Sequence, residues 1–354
     1  MIASVAAISA VVGGVVAGAT VAWWTNGSND EPATAAPLQS VSVEQTSAIA
    51  EAAVRVRPSV VRIESTRRAA GGIEQDIGSG VILDTEGHMV TNAHVVLGTD
   101  TLKVVLADGT VRPAIMVGHD SPFTDVAVLQ IGPGGLTPVE VGDSATLQLG
   151  ESVVAIGNPL AEFDGSVSVG VISGTGRVRI LDGVKQDDLL QTDAAINSGN
   201  SGGALINLEG QFIGMPTAVI RDSRSGVAVE GIAFALPSNR VLEIANEIIR
   251  VGANYPRPSL EAEHLDLTPE SLSRLPRATI REGAFIGSVL PGGAADAAGI
   301  RAGDVITEVD GVVLEAETPL LNVMEKYQPG ETVRVVLNRN GRIIEAEVRF
   351  ALRS

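Results

Sequence analysis

The sequence predicts a mainly β protein that ends in a small α+β module, and three observations support this fold class. Aromatic residues make up only 3% of the 354 residues, whereas Val, Ala, Ile and Gly are abundant, which suits many short strands joined by tight turns. From Ser59 to about Leu236, apolar runs of strand length alternate with turn signals such as Asp108-Gly109. No long helical period occurs in this region before about residues 238–251.

Within the β region, two segments resemble each other. Residues 80–90 align without gaps to residues 203–213, and each segment is typical of a hairpin that turns at Glu-Gly. Two similar β-barrels with a site in the cleft between them would produce such a repeat, although unrelated hairpins also resemble one another. The clearest strand segments are 60–63, 81–83, 102–106 and 153–156.

The N-terminal segment is predicted to span a membrane. Residues 2–24 carry no charge and end in two tryptophans, as suits one helix across a bilayer with its end at the interface. A secretory signal peptide cut near residues 33–35 is the alternative, although a basic start is missing. Residues 25–50 are predicted to be a flexible tether, and a short amphipathic helix is predicted over roughly 43–56.

The C-terminal region is predicted to be a separate module behind a stiff linker. Residues 254–258 contain two prolines, which end the preceding helix and stiffen the connection. The module then contains a strand at 283–290, a small-residue helix at 294–298, a second helix at 320–327 and two strands around Asn340-Gly341.

The composition excludes several kinds of partner and chemistry. The formal net charge is −17, which argues against a nucleic-acid partner because such proteins need a basic face. The same charge repels anionic lipids, so membrane contact has to come from the apolar N-terminal segment. The chain has no cysteine, which excludes disulfides, thiolate metal sites and a cysteine nucleophile.

A glycine-rich turn at residues 197–203 (NSGNSGG) is the predicted centre of the chemistry. Its glycines permit positive φ angles, so successive N–H groups can face one concavity that stabilises an oxyanion. Ser201 beside this concavity is a candidate nucleophile. Gly/Ser/Asn runs are usually only turns, so the prediction depends on finding a base and a carboxylate elsewhere in the chain.

Both partners occur upstream of Ser201. His94 follows an apolar run and is predicted at a strand end, and Asp125 begins the strand-like segment 125–131. The order His, Asp, Ser is that of chymotrypsin-like enzymes and not the Ser, Asp, His order of α/β-hydrolases. The sequence therefore predicts a serine hydrolase that needs no metal and no cofactor.

Three other titratable residues near these motifs receive structural interpretations. His88 and His119 have no partner implied by spacing and are predicted to be surface histidines. Asp193 lies in the nucleophile's own loop, where a structural hydrogen-bonding role is expected.

Jointly, the motifs resemble the HtrA/Deg family of trypsin-like serine proteases in its membrane-anchored, single-PDZ (DegS-like) form. The similarity covers nearly everything from residue 58 to the C-terminus. The stretches that carry it are GSGVI at 78–82, TNAHVV at 91–96, TDVAVL at 124–129, AIGNP at 155–159, QTDAAINSGNSGG at 191–203, GIAFALP at 231–237 and the PDZ-like segment 291–306.

The resemblance implies a fold and a set of site residues. Residues 51–252 would form a chymotrypsin-like double β-barrel, and residues 253–354 a PDZ domain. Ser201 would be the nucleophile, His94 the general base and Asp125 the residue that fixes the imidazole tautomer. The remaining implied site residues are Gly199 and Ser201 for the oxyanion hole, and Ile196, Ile232, Ala233 and Phe234 for the specificity pocket.

The implied function is that of a serine endopeptidase of the cell envelope. The resemblance implies an inner-membrane protein whose catalytic body lies in the periplasm or outside the cytoplasm, assembled as a homotrimer. Its substrates would be misfolded or signalling envelope proteins, in protein quality control or a stress response, with a peptide ligand on the PDZ domain. A latent protease or non-proteolytic PDZ-bearing chaperone or scaffold is the alternative.

The chain departs from the family pattern at three places. Ser198 stands where many relatives have proline, and Pro216 replaces a common asparagine. The predicted PDZ ligand loop contains Leu260 and Glu261, where the family pattern is an aromatic residue or Leu, then Gly, then an aliphatic residue. Glutamates there are expected to repel the terminal carboxylate of a peptide ligand.

Overall fold

The computed structural model describes residues 43–69, 72–158, 165–181, 184–197, 199–219, 231–274 and 280–353. The predicted membrane segment 2–24 lies outside the described residues, as does the larger part of the predicted tether. None of the helices in the described ranges is long and apolar enough to cross a membrane. The predicted helix is confirmed as α1 (Val43–Val56), so the last residues of the predicted tether are helical.

The first half of the β region is a closed barrel with the strand order β1-β2-β3-β6-β5-β4. A buried cluster that includes Val61, Ile63, Met89 and Leu129 fills its interior. The elements are β1 (Val60–Ala69), β2 (Gly72–Ile82), β3 (His88–Thr91), the short helix α2 (Ala93–Val96), β4 (Thr101–Val105), β5 (Val111–His119) and β6 (Ala127–Ile131).

The second half is another closed barrel, with the strand order β10-β11-β12-β9-β8-β7. Its own interior cluster includes Val153, Leu205 and Ile213. Its strands are β7 (Ser152–Gly157), β8 (Ser166–Leu181), β9 (Val184–Thr192), β10 (Ala204–Ile206), β11 (Phe212–Val219) and β12 (Ala233–Pro237).

A third cluster joins the two barrels. Residues of both barrels pack there with α1 and with the helix α3 (Ser238–Val251), which buries Ile244 and Ile248. The helix ends at Gly252, whose φ of 64° is left-handed and whose N–H bonds to the Ile248 carbonyl. The predicted mainly β fold with one long C-terminal helix is thus confirmed for the barrel region.

The sequence repeat, however, does not mark equivalent hairpins. Residues 80–90 span the β2–β3 hairpin of the first barrel, whereas residues 203–213 span the β10–β11 hairpin of the second. When the strand orders of the two barrels are compared, the β2–β3 hairpin of the first barrel corresponds to β8–β9 of the second. The β10–β11 hairpin of the second barrel corresponds to β4–β5 of the first. The two barrels share a topology, but the similarity between the two segments reflects generic hairpin chemistry.

The C-terminal module is an α+β unit with the sheet order β14-β15-β16-β18-β19, and β14 is an edge strand. A buried cluster that includes Ile286, Leu320 and Val335 forms its core. Its elements are β13 (Pro258–Ser259), β14 (Ala262–Asp266), α4 (Pro269–Arg274), β15 (Ala284–Val289), α5 (Ala294–Ala297), β16 (Val305–Val309), β17 (Val312–Val313), α6 (Leu320–Met324), β18 (Thr332–Arg339), β19 (Arg342–Arg349) and β20 (Ala351–Leu352).

Candidate functional site

The glycine-rich turn that carries Ser201 lies directly against the strand end that leads to His94. Gly202 has a φ of +79°, and a Cβ there would lie 2.3 Å from the Ser79 carbonyl oxygen and 2.4 Å from the Thr91 hydroxyl. Only glycine fits this position, because the space and the left-handed backbone both exclude a side chain. The close approach brings the serine turn beside residues 91–92, immediately before His94.

On either side of Asn200, the N–H groups of Gly199 and Ser201 have no hydrogen-bond acceptor among the described residues. The intervening and following N–H groups are used, since Asn200 donates to the Asn197 carbonyl and Gly202 to the Pro216 carbonyl. Gly199 has a φ of 96°. The pattern leaves a pair of donors of the kind that stabilises an oxyanion. Ser198, the predicted departure in this loop, lies outside the described residues.

Ser79 of the first barrel holds the turn from behind. Its hydroxyl donates to the Gly199 carbonyl at 2.6 Å and accepts from the Asn158 N–H at 2.8 Å. Its own N–H donates to the Ser201 carbonyl at 3.0 Å. Ser79 belongs to the motif at 78–82, but its role could not be predicted, because hydroxyl partners that lie far apart in the chain leave no local pattern.

His94 and Asp125 meet through two contacts. The His94 backbone N–H donates to Oδ1 of Asp125 at 3.0 Å, and the ring Nδ1 lies 2.6 Å from Oδ2. The carboxylate therefore fixes both the backbone and the ring of His94, and it favours the tautomer that carries a proton on Nδ1. Within the described part of the chain, no hydrogen bond joins the Ser201 hydroxyl to His94, as is common in proteases without substrate.

The environment of His94 changes its basicity. Burial lowers the pKa of the His94 ring, but the hydrogen bond and the negative charge of Asp125 raise this pKa by more. The net result is a pKa above the usual histidine value, which stabilises the imidazolium that forms when the ring takes up a proton.

Thr217 and Asn92 also hold Asp125, and neither role was predicted from the sequence. The Thr217 hydroxyl donates to Oδ2 of Asp125 at 2.7 Å, and the Asn92 amide donates to its backbone carbonyl at 3.0 Å. Asn92 belongs to the same motif as His94, so its position was visible in the sequence. Thr217 comes from the second barrel, and only the fold brings it here.

The four residues predicted to line a specificity pocket do not share one face. Ile196 and Ala233 belong to the interior cluster of the second barrel. Phe234 belongs to the cluster between the barrels, and the partly buried Ile232 packs against this cluster. Successive residues of a strand point to opposite faces, so Phe234 cannot lie on the same side as Ala233.

In the predicted PDZ ligand loop, the Glu261 carboxylate is already occupied. Glu261 has a φ of 53°, its Oε2 accepts the Ala294 N–H at 2.9 Å, and its own N–H donates to the Ser259 hydroxyl at 3.0 Å. Leu260 is buried, with 3% of its surface exposed. The left-handed backbone explains why a glycine suits this position in the family pattern.

The remaining candidates have local partners. Asp193 accepts the Val171 N–H at 2.7 Å, which agrees with a structural role. The prediction of a surface residue is wrong for His88, which is 9% exposed and contacts Asp84 at 2.7 Å.

The cluster formed by Asp84, Glu86 and His88 is close enough to share a cation. Asp84 Oδ1, however, accepts the Glu86 and His88 N–H groups, so the cluster is explained as a hydrogen-bonded turn.

Comparison with known protein families matches both halves of the chain. Residues 78–215 match the model of a trypsin-like peptidase domain, and residues 261–350 match the model of a PDZ domain.

Individual relatives agree with this assignment. A serine protease Do-like HtrA of Lactobacillus helveticus is 41% identical, over 77% of this chain and 68% of that protein. The periplasmic serine endoprotease DegP of Escherichia coli (strain K12) is 38% identical, over 79% of this chain and 58% of its own length. Among solved structures, the HtrA-type protease AlgW with a decapeptide is 34% identical, with a TM-score of 0.60 over 86% of this chain and 99% of that one.

Proposed function

The chain belongs to the HtrA/Deg family of trypsin-like serine proteases with one PDZ domain and is a serine endopeptidase, and from this premise we propose how its site works. Ser201 is the nucleophile, His94 is the general base and then the general acid, and Asp125 orients His94. The observation that carries this assignment is the double contact between Asp125 and His94, made by one carboxylate with both the backbone N–H and the ring.

The reaction proceeds by acyl transfer. Oγ of Ser201 attacks the carbonyl carbon of the scissile peptide bond while its proton passes to Nε2 of His94. His94 then returns this proton to the leaving amine as the C–N bond breaks, and an acyl-enzyme remains. Water repeats the sequence and releases the carboxylic acid. The N–H groups of Gly199 and Ser201 receive the oxyanion at each tetrahedral stage.

We further propose that the substrates are misfolded or signalling proteins of the cell envelope, and that the PDZ domain binds a peptide and regulates cleavage. The support comes from relatives: DegP and DegQ are named as periplasmic endoproteases, and AlgW was solved with peptides. Membrane anchoring through residues 2–24 and assembly as a homotrimer belong to the same proposal.

Labelling with a fluorophosphonate probe tests the site. The full chain in detergent is expected to be labelled, and Ser201→Ala is expected to lose both the label and about six orders of magnitude in turnover. Ser288→Ala, an exposed serine in β15, serves as the matched control and should be labelled like the wild type. Labelling that persists in Ser201→Ala would overturn the assignment of the nucleophile.

The second candidate is a latent protease or PDZ-bearing scaffold. No hydrogen bond joins Ser201 to His94 in the described ranges, an arrangement that a latent site would share with an active protease without substrate. Casein hydrolysis separates the two functions. Steady cleavage by the unliganded chain supports the active protease, and a folded chain that neither cleaves casein nor reacts with the probe supports the scaffold.

A further inference from the structure

Strand β14 leaves one edge of the PDZ sheet open. Among the described strands it pairs only with β15. The Leu290 N–H donates to the Glu261 carbonyl at 2.9 Å, and the Leu267 N–H bonds to the residue before β15 at 2.8 Å. Backbone groups of successive residues point alternately toward and away from an antiparallel partner. Ala262 and His264 therefore direct their N–H and C=O groups to the open edge.

The two faces of β14 differ in their chemistry. On the inner face, Ala262 packs against the core cluster that contains Leu260 and Leu320. The outer face carries the exposed Glu263 and Leu265, which is 43% exposed. A peptide that adds to this edge as a further strand places alternate residues on the two faces. Its inward residues then meet apolar side chains, and its outward residues meet Glu263.

The carboxylates along β14 are not equally available to a ligand. Asp266 is 9% exposed, and its Oδ1 accepts the Leu320 N–H at 3.0 Å, so this carboxylate is committed to α6. Glu261 and Glu263 each accept only through Oε2, from a backbone N–H and from a serine hydroxyl respectively. Within the described residues, neither glutamate forms an ion pair with an arginine or a lysine. Both charges therefore remain to be neutralised by a ligand.

The turn before β14 is poorly suited to the end of a peptide chain. A terminal carboxylate is bound by backbone N–H groups that face one concavity. Here the Glu261 N–H already donates to the Ser259 hydroxyl at 3.0 Å. The Glu261 side chain also adds a negative charge to the same turn. A terminal carboxylate would thus find one donor fewer and a repulsive charge.

We propose that the open edge of β14 binds an extended internal peptide segment by strand addition, and that Glu261 and Glu263 select segments in which lysine or arginine alternates with apolar residues. A free C-terminal carboxylate is not required for this binding. The inference rests on the proposed function, in which the PDZ domain binds a peptide, and it names the class of that peptide.

Three fluorescent decapeptides test the proposal. One alternates lysine and valine and ends in an amide, the second has the same sequence with a free carboxylate, and the third alternates glutamate and valine and ends in an amide. Fluorescence anisotropy measures their binding to the full chain with Ser201→Ala, which prevents cleavage, in detergent. Salt at about 0.15 M limits the effect of charges to roughly 8 Å. At about pH 8 the His264 ring is neutral, because burial lowers its pKa by more than Asp266 and the Ala262 carbonyl raise it.

We expect the amidated Lys-Val peptide to bind about tenfold more tightly than the amidated Glu-Val peptide, as two exposed ion pairs would produce. The free carboxylate should bring no gain over the amide. Replacing Glu261 and Glu263 together with glutamine keeps both oxygen acceptors and removes both charges. In this variant the two amidated peptides should bind with affinities within about twofold of each other.

The chain offers a matched control for its overall negative charge. Glu345 and Glu347 are exposed on β19, the opposite edge strand of the same sheet. Replacing both with glutamine changes the net charge by the same amount and is expected to leave the preference for the Lys-Val peptide unchanged. A peptide bound in the protease cleft would likewise not respond to the pair of substitutions in Glu261 and Glu263.

The results separate this inference from the proposed function. Tighter binding of the free-carboxylate or the Glu-Val peptide would overturn the inference and leave peptide binding by the PDZ domain in place. A Lys-Val preference that persists without the charges of Glu261 and Glu263 would also overturn it. If that double variant does not fold, Glu263→Gln decides, with an expected loss of about threefold in preference and an unchanged preference counting against the proposal. Binding of none of the peptides would overturn the proposed peptide-binding role itself.

Discussion

Thr217 of the second barrel donates a hydrogen bond to Oδ2 of Asp125 in the first barrel, at 2.7 Å. The same oxygen lies 2.6 Å from Nδ1 of His94. Thr217 is 7% exposed and Asp125 is 9% exposed, so the bond lies in a region of low dielectric, where it is strengthened. The orientation of His94 is therefore linked directly to the relative placement of the two barrels.

Replacing Thr217 with valine keeps the shape of the side chain and removes the donor. We expect the free energy of unfolding to fall by about 1–2 kcal/mol, because a buried acceptor loses a partner. We expect kcat/KM to fall about tenfold, because His94 is held less firmly. Thr217→Ser keeps the hydroxyl and serves as the control. Equal activities of the Val and Ser variants on casein would contradict a role for this bond.

Ser79→Ala is expected to disturb the oxyanion donors and leave the triad contacts intact. The variant removes the donor to the Gly199 carbonyl and the acceptor of the Asn158 N–H, so we expect kcat to fall about tenfold or more. Ser65→Ala is a matched control, since Ser65 is 1% exposed in the same barrel and its hydroxyl makes only a 3.5 Å bond to Asp76. A kcat of Ser79→Ala equal to that of Ser65→Ala would show that the glycine-rich turn at 197–203 keeps its conformation without the Ser79 hydroxyl.

The sequence was sufficient for the features that depend on local pattern. The barrel strands, α1, α3 and the order of the PDZ elements follow from periodicity and turn residues, and the motif around His94 is contiguous. The hairpins β2–β3 and β10–β11 show the limit of local patterns, because local turn geometry favours similar residues in any hairpin. The similarity of their sequences therefore did not identify equivalent positions in the two barrels.

Contacts that join distant segments could not be predicted. Arg257 of the linker donates two hydrogen bonds to the buried Asp120 carboxylate, each at 2.7 Å, and nothing near Arg257 in the chain indicates this partner. Nothing near Thr217 indicates Asp125 either, since both pairs form only when the barrels and the linker have packed. The predicted pocket grouped Ala233 with Phe234, whose side chains point to opposite faces of β12, and the pocket therefore stays a prediction.

The pH dependence of activity follows from His94. Because Asp125 raises the pKa of this ring above the usual histidine value, and only the neutral ring accepts a proton, we expect kcat/KM to decline as pH falls through the raised value. In Asp125→Asn only the effect of burial remains, so the acid limb of the residual activity should move to lower pH. An unchanged limb in a pH–rate profile would show that a different group controls it.

The same shift makes a prediction for stability. A group whose pKa is higher in the folded state favours folding fully below its unfolded pKa, and this contribution is lost as pH rises through the folded value. The His94–Asp125 pair is thus expected to stabilise the fold more at mildly acidic pH than at alkaline pH. Calorimetric melting of the wild type and His94→Gln across pH should show a difference that shrinks as pH rises.

Glu261 combines an unfavourable backbone with a favourable side-chain contact, and substitutions can separate the two. Glu261→Ala loses the acceptor of the Ala294 N–H and keeps the left-handed φ of 53°, so we expect the PDZ domain to lose about 1–2 kcal/mol. Glu261→Gly loses the same acceptor but adopts this φ without strain, so its melting temperature should lie above that of the alanine variant.

Glu261→Gln keeps an oxygen acceptor and removes the charge. We expect this variant to bind a peptide with a free C-terminal carboxylate more tightly than the wild type does. Fluorescence anisotropy measures this binding, with the amidated peptide as the comparison. An equal gain for both peptides would show that the charge of Glu261 does not act on the terminal carboxylate.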